Sequence, residues 1–281
     1  MAYKTVLVHC NDKSRIVRVL GPAVEAAGTF NAHLIGLSVV PPVLVIPTGM
    51  PGTPDTVVID EHCQTYRREV PDMKAAFEAA GRERGLITEW LDVDAGSRSV
   101  ADIALEHAHA VDLIVASQAE PKWAGTAHLD IADRLAVGSG RPVLIVPNAG
   151  EPRSLFGKVL VAWNGRREAA RAAFDALPLL RRAREVKVAW VNPQSEGDVA
   201  GDVPAADICT ALARHGVKCE ATEAVRPHAN VGQTLLLQAQ DQGADLLVMG
   251  CYGHSRLREF VLGGASEHVL RHMTIPVLMS H

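Results

Sequence analysis

The stretch Asp245-Leu246-Leu247-Val248-Met249-Gly250-Cys251-Tyr252-Gly253, continued nine residues later by Gly263-Gly264-Ala265-Ser266-Glu267, decides how this chain folds. Its first five residues are a short apolar run bounded by glycine, the signature of a strand buried inside a parallel sheet. Gly250 and Gly253 break the strand and open a loop. Gly263-Gly264 close that loop, and Ala265-Ser266-Glu267 open a helix. A strand that feeds a glycine loop, which in turn feeds a helix N-terminus, favours anions. Glycine lets backbone N–H groups converge without a Cβ in the way, and the helix adds unpaired N–H groups and the positive end of its dipole. A phosphate chain is the expected guest.

The spacing separates this loop from better-known ones. A P-loop requires GxxxxGK[ST], and no Lys follows a glycine here in that pattern. The order Gly250-x-x-Gly253, nine residues, Gly263-Gly264 resembles the nucleotide-binding signature of the universal stress protein family. That resemblance implies an ATP phosphate cradle at the carboxyl edge of a parallel sheet, made by Gly250, Gly253, Gly263, Gly264 and Ala265. Gly264 stands where the family has Ser or Thr, and Ser266 is the nearby hydroxyl that can substitute. The first strand of the family ends in an Asp that reaches the nucleotide. Here Val161-Ala162-Trp163-Asn164-Gly165 puts the uncharged Asn164 at that place, an amide able to hydrogen-bond a base edge or a ribose hydroxyl. The family lays adenine against the end of its second strand, which corresponds to Val191.

An internal repeat organises the rest. Three strand motifs recur in order, at offsets of 153 (Val6 to Val159), 133 (Asp112 to Asp245) and 134 residues (Pro142 to Pro276). The chain is therefore expected to be two copies of one domain, 1–149 and 154–281, joined through the turn-rich segment 147–154. Each copy alternates strands and helices. In the first, strands are expected near 5–10, 33–39, 86–93, 112–116 and 142–147, with helices near 14–28, 61–84, 98–110 and 126–137. In the second, strands are expected near 158–163, 185–191, 217–225, 245–249 and 275–280, with helices near 166–183, 202–215, 230–243 and 265–273. That is an α/β class: two tandem doubly wound, five-stranded parallel sheets, Rossmann-like, with ligands outside the carboxyl ends of the strands. The resemblance implies the same layout, and also that the fifth strands of the two copies pair within one chain as an intramolecular pseudo-dimer.

The N-terminal copy departs from the signature. Ser117 replaces Gly250, Glu120 or Pro121 falls where Gly253 stands, and Asp130 takes roughly the place of Gly264. β-carbons and carboxylates crowd the place of the phosphates, so this copy is expected not to bind ATP. It also carries an apolar, proline-stiffened insertion, Pro41 to Pro54. This segment is expected to pack over the empty crevice or on a partner subunit, where it offers a surface for a homodimer. The sharper alternative is a lid over an apolar ligand.

Composition excludes several classes. Hydrophobic residues are 48% and aromatics 4%, a core of Val, Leu, Ile and Ala suited to parallel strands. Net charge is −4, against a general nucleic-acid binder. No apolar run is long enough to span a bilayer, and the opening residues lack a signal-peptide layout, so a cytoplasmic protein is expected. The five cysteines form no CxxC pair and read as reduced thiols. Cys251, inside the loop, reads as a small residue tolerated in a turn. His268 and His272 share a helix face but lack a third ligand, so no metal site is assigned. Arg181-Arg182-Ala183-Arg184 at a helix end is read as complementing the helix dipole.

No catalytic base, metal carboxylate or catalytic Lys is identified for a γ-phosphate. The expectation is an ATP-binding regulatory protein of the stress-response type, with Mg accompanying the nucleotide and little or no turnover. Its protein partner is unidentified. The alternatives are a nucleotide-free interaction module and an enzyme of the wider adenine-nucleotide α-hydrolase-like class, which shares the fold.

Overall fold

The computed structural model describes residues 2–47, 56–120, 131–151, 153–191, 205–224, 228–251 and 264–281, with backbone only at 44–47 and 56–59. Among these, one ten-stranded sheet runs through both halves of the chain. The N-terminal half contributes β1 (Thr5–His9), β2 (His33–Val40), β5 (Thr88–Asp94), β6 (Leu113–Ser117) and β7 (Val143–Val146). The C-terminal half contributes β8 (Lys158–Trp163), β9 (Glu185–Val191), β10 (Cys219–Ala224), β11 (Leu246–Gly250) and β12 (Val277–Ser280). The order is β10-β9-β8-β11-β12-β7-β6-β1-β2-β5. Each half is thus parallel, with strand order 3-2-1-4-5, the doubly wound arrangement expected from the repeat. Its switch points fall between β1 and β6 and between β8 and β11.

The described helices are α1 (Ile16–Phe30), α2 (Glu61–Glu83), α3 (Val100–Ala108), α4 (Ala132–Gly138), α5 (Arg167–Asp175), α6 (Leu177–Leu180), α7 (Ala206–Arg214), α8 (Val231–Asp241) and α9 (Gly264–His272). The sequence suggests one helix over 166–183, but the chain divides it into α5 and α6. Pro178 lies at the start of α6 and has no N–H to continue the ladder from Phe174. The expected irregular insertion after β2 contains a second, two-stranded sheet, β3 (Leu44–Pro47) antiparallel to β4 (Thr56–Ile59). β-branched residues crowd both strands, which favours pairing over an open loop.

The repeated aspartates have a structural reason. Asp112 Oδ2 accepts from the backbone N–H of Lys4 (2.7 Å) and Thr5 (3.0 Å), and Asp245 Oδ2 accepts from Lys158 N–H (2.8 Å). In each half the residue before the fourth strand pins the entry of the first strand beside it. The strands between are dry: Leu113, Ile114, Val115, Leu246, Leu247 and Val248 are wholly buried. Each such side chain contributes about 1.5–3 kcal/mol on burial.

The halves meet through β7 and β12, which run antiparallel with Ile145 opposite Val277, Leu144 opposite Leu278 and Val143 opposite Met279. This is the intrachain pairing expected of a pseudo-dimer, and it removes two sheet edges. The outer edges, β5 and β10, carry Glu89, Asp92, Asp94, Glu220 and Glu223, charges that discourage further strand addition. A second seam forms between α1 and the C-terminal half. Tyr3 Oη donates to Asp175 O at 2.8 Å, Phe30 meets Phe156 edge-on at 5.9 Å, and the Arg182 guanidinium lies 5.5 Å from the Phe30 ring centre. Arg182 therefore serves the seam between the halves as a cation over an aromatic face, beyond the dipole role read from sequence.

Candidate functional site

At the C-terminal switch point β8 and β11 lie side by side, with Val161 opposite Val248. β8 ends at Trp163, and the chain turns at once. Asn164 Oδ1 accepts from Arg166 N–H at 3.0 Å, and Gly165 adopts φ +69°. An Asx turn followed by a left-handed glycine sends the chain back over the sheet into α5. Asn164 is exposed, and its amide nitrogen has no partner among the described residues. One strand further out, Trp163 is in register with Trp190, and Val191 ends β9 half-buried. Asn164, Val191 and Gly250 thus stand along the carboxyl edge of neighbouring strands.

Gly250 is a packing requirement as well as a turn. A Cβ there would lie 2.4 Å from the Glu168 carbonyl carbon and 2.6 Å from Ala169 N, both backbone atoms in the first turn of α5. Any side chain at 250 would push α5 off the sheet. Glu168 itself is buried, and its Oε1 has no hydrogen-bond partner among the described residues. Sequence reading missed this residue. The dipole of α5 favours a carboxylate in its first turn, but only the close approach of Gly250 explains why it is enclosed.

Gly264 opens α9 at an exposed position, with no atom of a described residue within 4 Å of where a Cβ would stand. Ala265 is half-buried. Its carbonyl oxygen lies 2.7 Å from the Cβ position of Gly232, so α8 and α9 touch backbone to backbone there. Ser266 is buried at 4% exposure, inside the packing of α9. The hydroxyl assigned to phosphate from the sequence thus sits at an enclosed position, while the exposed start of the helix is Gly264. Gly253 and Gly263 lie outside the described residues.

Cys251 is fully buried. Its thiol points to Ser280 O (3.5 Å) and Ala136 O (3.8 Å), and burial pushes its pKa up to about 12. It is a packed residue at the seam, in line with its reading as a tolerated small side chain. His268 and His272 stack with ring centres 4.3 Å apart, and His272 Nδ1 meets His268 O at 2.9 Å. Burial and the neighbouring His272 lower the His268 pKa.

The N-terminal switch point is built from different groups. Asn11 occupies the place of Asn164 but is 2% exposed, and Ser117 Oγ donates to its Oδ1 at 3.1 Å. Asp12 and Arg15 form a nearly enclosed ion pair at 2.8 Å, and Arg15 also donates to Gln118 O at 3.1 Å. Behind them His9 is buried, its Nε2 unpartnered among the described residues. Desolvation and Arg15 lower its pKa to about 4. Beside β2, Tyr66 Oη donates to Cys10 O at 2.7 Å, and Val39, Val40 and Cys63 are buried. Pro121 and Asp130 lie outside the described residues.

The model of the universal stress protein family matches residues 155–281. A universal stress protein of Synechocystis sp. is 40% identical over 67 residues, 24% of this chain and 22% of the relative. One from Methanocaldococcus jannaschii is 39% identical over 41 residues, 15% of this chain and 25% of the relative. The matched segments therefore span a quarter or less of those relatives' own length. In fold, a universal stress protein of Archaeoglobus fulgidus superposes with a TM-score of 0.65 at 18% identity, over 98% of this chain and 95% of that one. No described helix is long and apolar enough to cross a membrane. Residues 155–281 thus match the universal stress protein family model, on a chain with a tandem, Rossmann-like fold similar to that of a universal stress protein.

Proposed function

We propose that the crevice outside Asn164, Val191 and Gly250 binds an adenine nucleotide, ATP in the first instance, at one site per chain. The observation that carries this reading is the difference between two equivalent asparagines. Asn164 is exposed at the switch point with its amide donor unpartnered among the described residues, whereas Asn11 is enclosed and accepts from Ser117. Exposed donors at the carboxyl edge of a doubly wound sheet are ligand groups, and enclosed, satisfied ones are structural.

The phosphates are assigned to Gly250, Gly253, Gly263, Gly264 and Ala265, with the N–H groups at the start of α9 facing negative charge. Mg accompanies them as part of the nucleotide. Ser266 is given no phosphate role, because of its burial. Residues 1–149 and 154–281 are taken as the two domains, the first a partner-like half that closes the sheet. The protein acts by ligand-dependent display of a surface to a partner, with little or no hydrolysis.

The test is isothermal titration of ATP, with and without Mg²⁺, into the purified full chain and into Gly263→Asp. One site per chain, lost in the variant, is the expected result. Two equal sites, or rapid ATP turnover, would contradict the reading. No binding to the wild-type chain would leave the nucleotide-free interaction module.

A further inference from the structure

Two of the five cysteines lie together. Cys209 is on α7 and Cys219 opens β10, the edge strand that α7 covers. The Cys219 thiol donates toward Cys209 O at 3.7 Å, which sets the two cysteines side by side where α7 packs on β10. The connection from α7 to β10 turns tightly through Gly216, at φ +81°. Both cysteines are half-buried, whereas Cys10, Cys63 and Cys251 are buried. The pair is thus the thiol chemistry of this chain that a small solute can reach.

We propose that Cys209 and Cys219 are a dithiol modification site that closes to an intrachain disulfide on reaction with a peroxide. Against the rise that burial imposes, the neighbouring Cys219 side chain lowers the Cys209 pKa, whereas Cys209 raises that of Cys219, so Cys209 is the attacking thiol. The Cys209 thiolate attacks the peroxide, the O–O bond breaks, and Cys209 becomes a sulfenic acid as the alcohol or water leaves. Cys219 then attacks that sulfur and displaces water. The sum is two thiols and one peroxide giving one disulfide, one alcohol (water, for hydrogen peroxide) and one water. The thiols lose two electrons and the peroxide gains them. Desolvation raises both pKa values, that of Cys219 to about 12. Reaction at neutral pH is therefore slow, and its rate rises by about tenfold per pH unit as the thiolate fraction grows. The disulfide ties α7 to the amino end of β10. The proposed nucleotide crevice lies at the carboxyl end of the strands, where Val191 is opposite Ala224.

The experiment is peptide mass mapping of the full chain after hydrogen peroxide, without reductant. The expected product is a Cys209–Cys219 cross-link lighter by two hydrogens, with free thiols falling from five to three, and full recovery with dithiothreitol. Cys219→Ser should accumulate a dimedone-trapped sulfenic acid at Cys209, and Cys209→Ser should show none at Cys219. Oxidation first at Cys10, Cys63 or Cys251, or disulfides between chains through Cys209 or Cys219, would overturn the assignment. The wild-type map decides even if a variant fails to fold.

Discussion

The Gln118 side-chain amide donates to the Leu270 carbonyl at 2.6 Å, joining the end of β6 to α9 across the two halves. This contact has a pseudo-two-fold mate. Cys251 stands 133 residues after Gln118, and its thiol points to the carbonyl of Ala136, 134 residues before Leu270. The same geometric position is thus used twice, by a strong donor on one side and a weak one on the other. Gln118 is also 93% buried and accepts from Asn148 N–H at 3.0 Å through its Oε1. Replacing it with Leu strands that N–H and the Leu270 carbonyl. The cost of two orphaned buried groups is about 2–4 kcal/mol. Urea denaturation of Gln118→Leu should show an unfolding free energy lower by that amount. Cys251→Ala should cost clearly less, because a thiol is a weak donor. Equal losses would mean that packing, and not the hydrogen bond, holds the seam.

Two glycines of the signature should respond in opposite ways. At Gly250 a methyl group meets the α5 backbone at 2.4 Å, so Gly250→Ala should destabilise the chain by about 1–3 kcal/mol. At Gly264 a side chain meets nothing among the described residues within 4 Å, so Gly264→Ser, the residue type usual in the family, should leave stability within about 1 kcal/mol of wild type. Thermal melts of both variants check this. A strongly destabilised Gly264→Ser would show that the start of α9 is enclosed.

His9 gives a pH dependence with a definite sign. Burial and Arg15 hold its folded pKa at about 4, below the ordinary histidine value of 6.5. In that window the unfolded chain binds the proton and the folded chain does not. The contribution is therefore present above pH 6.5 and lost as pH falls towards about 4, by about 3 kcal/mol in total. Urea midpoints between pH 7.5 and 4.5 should fall, with a smaller slope in His9→Gln. An unchanged slope in that variant would shift the dependence to other groups.

The architecture was legible because the repeated elements obey local rules. The Asp112 and Asp245 entries, the paired apolar strands and the Pro142/Pro276 turns each imply their neighbours. Strand order follows once crossovers are right-handed. The β3–β4 hairpin was not legible, because an apolar segment rich in proline reads equally as a packed loop. Pro178 was visible, but its effect depends on whether a helix continues past it. At the site, the motif names glycines but not what they touch. Glu168 became part of the site only through the approach of Gly250, and Ser266 proved to be enclosed. Both facts depend on helix placement relative to the sheet, which no spacing encodes. The Cys209–Cys219 contact is likewise a product of α7 lying on β10, ten residues apart in sequence but joined only through the turn at Gly216.

The two asparagines supply the most discriminating pair of variants. Asn164 is exposed and, among the described residues, bonds only within its own turn, so Asn164→Ala should change stability by less than about 1 kcal/mol. If its amide contacts the nucleotide, ATP affinity should fall by roughly tenfold, the usual worth of one lost hydrogen bond. Asn11 is enclosed, and Asn11→Ala leaves the Ser117 hydroxyl without its acceptor in a buried site. That variant should lose about 1–3 kcal/mol of stability yet bind ATP as wild type does. Titration and urea denaturation of both variants separate affinity from stability. If Asn11→Ala weakens ATP binding while Asn164→Ala does not, the nucleotide belongs to the N-terminal half, and the exposed turn after β8 is only a turn.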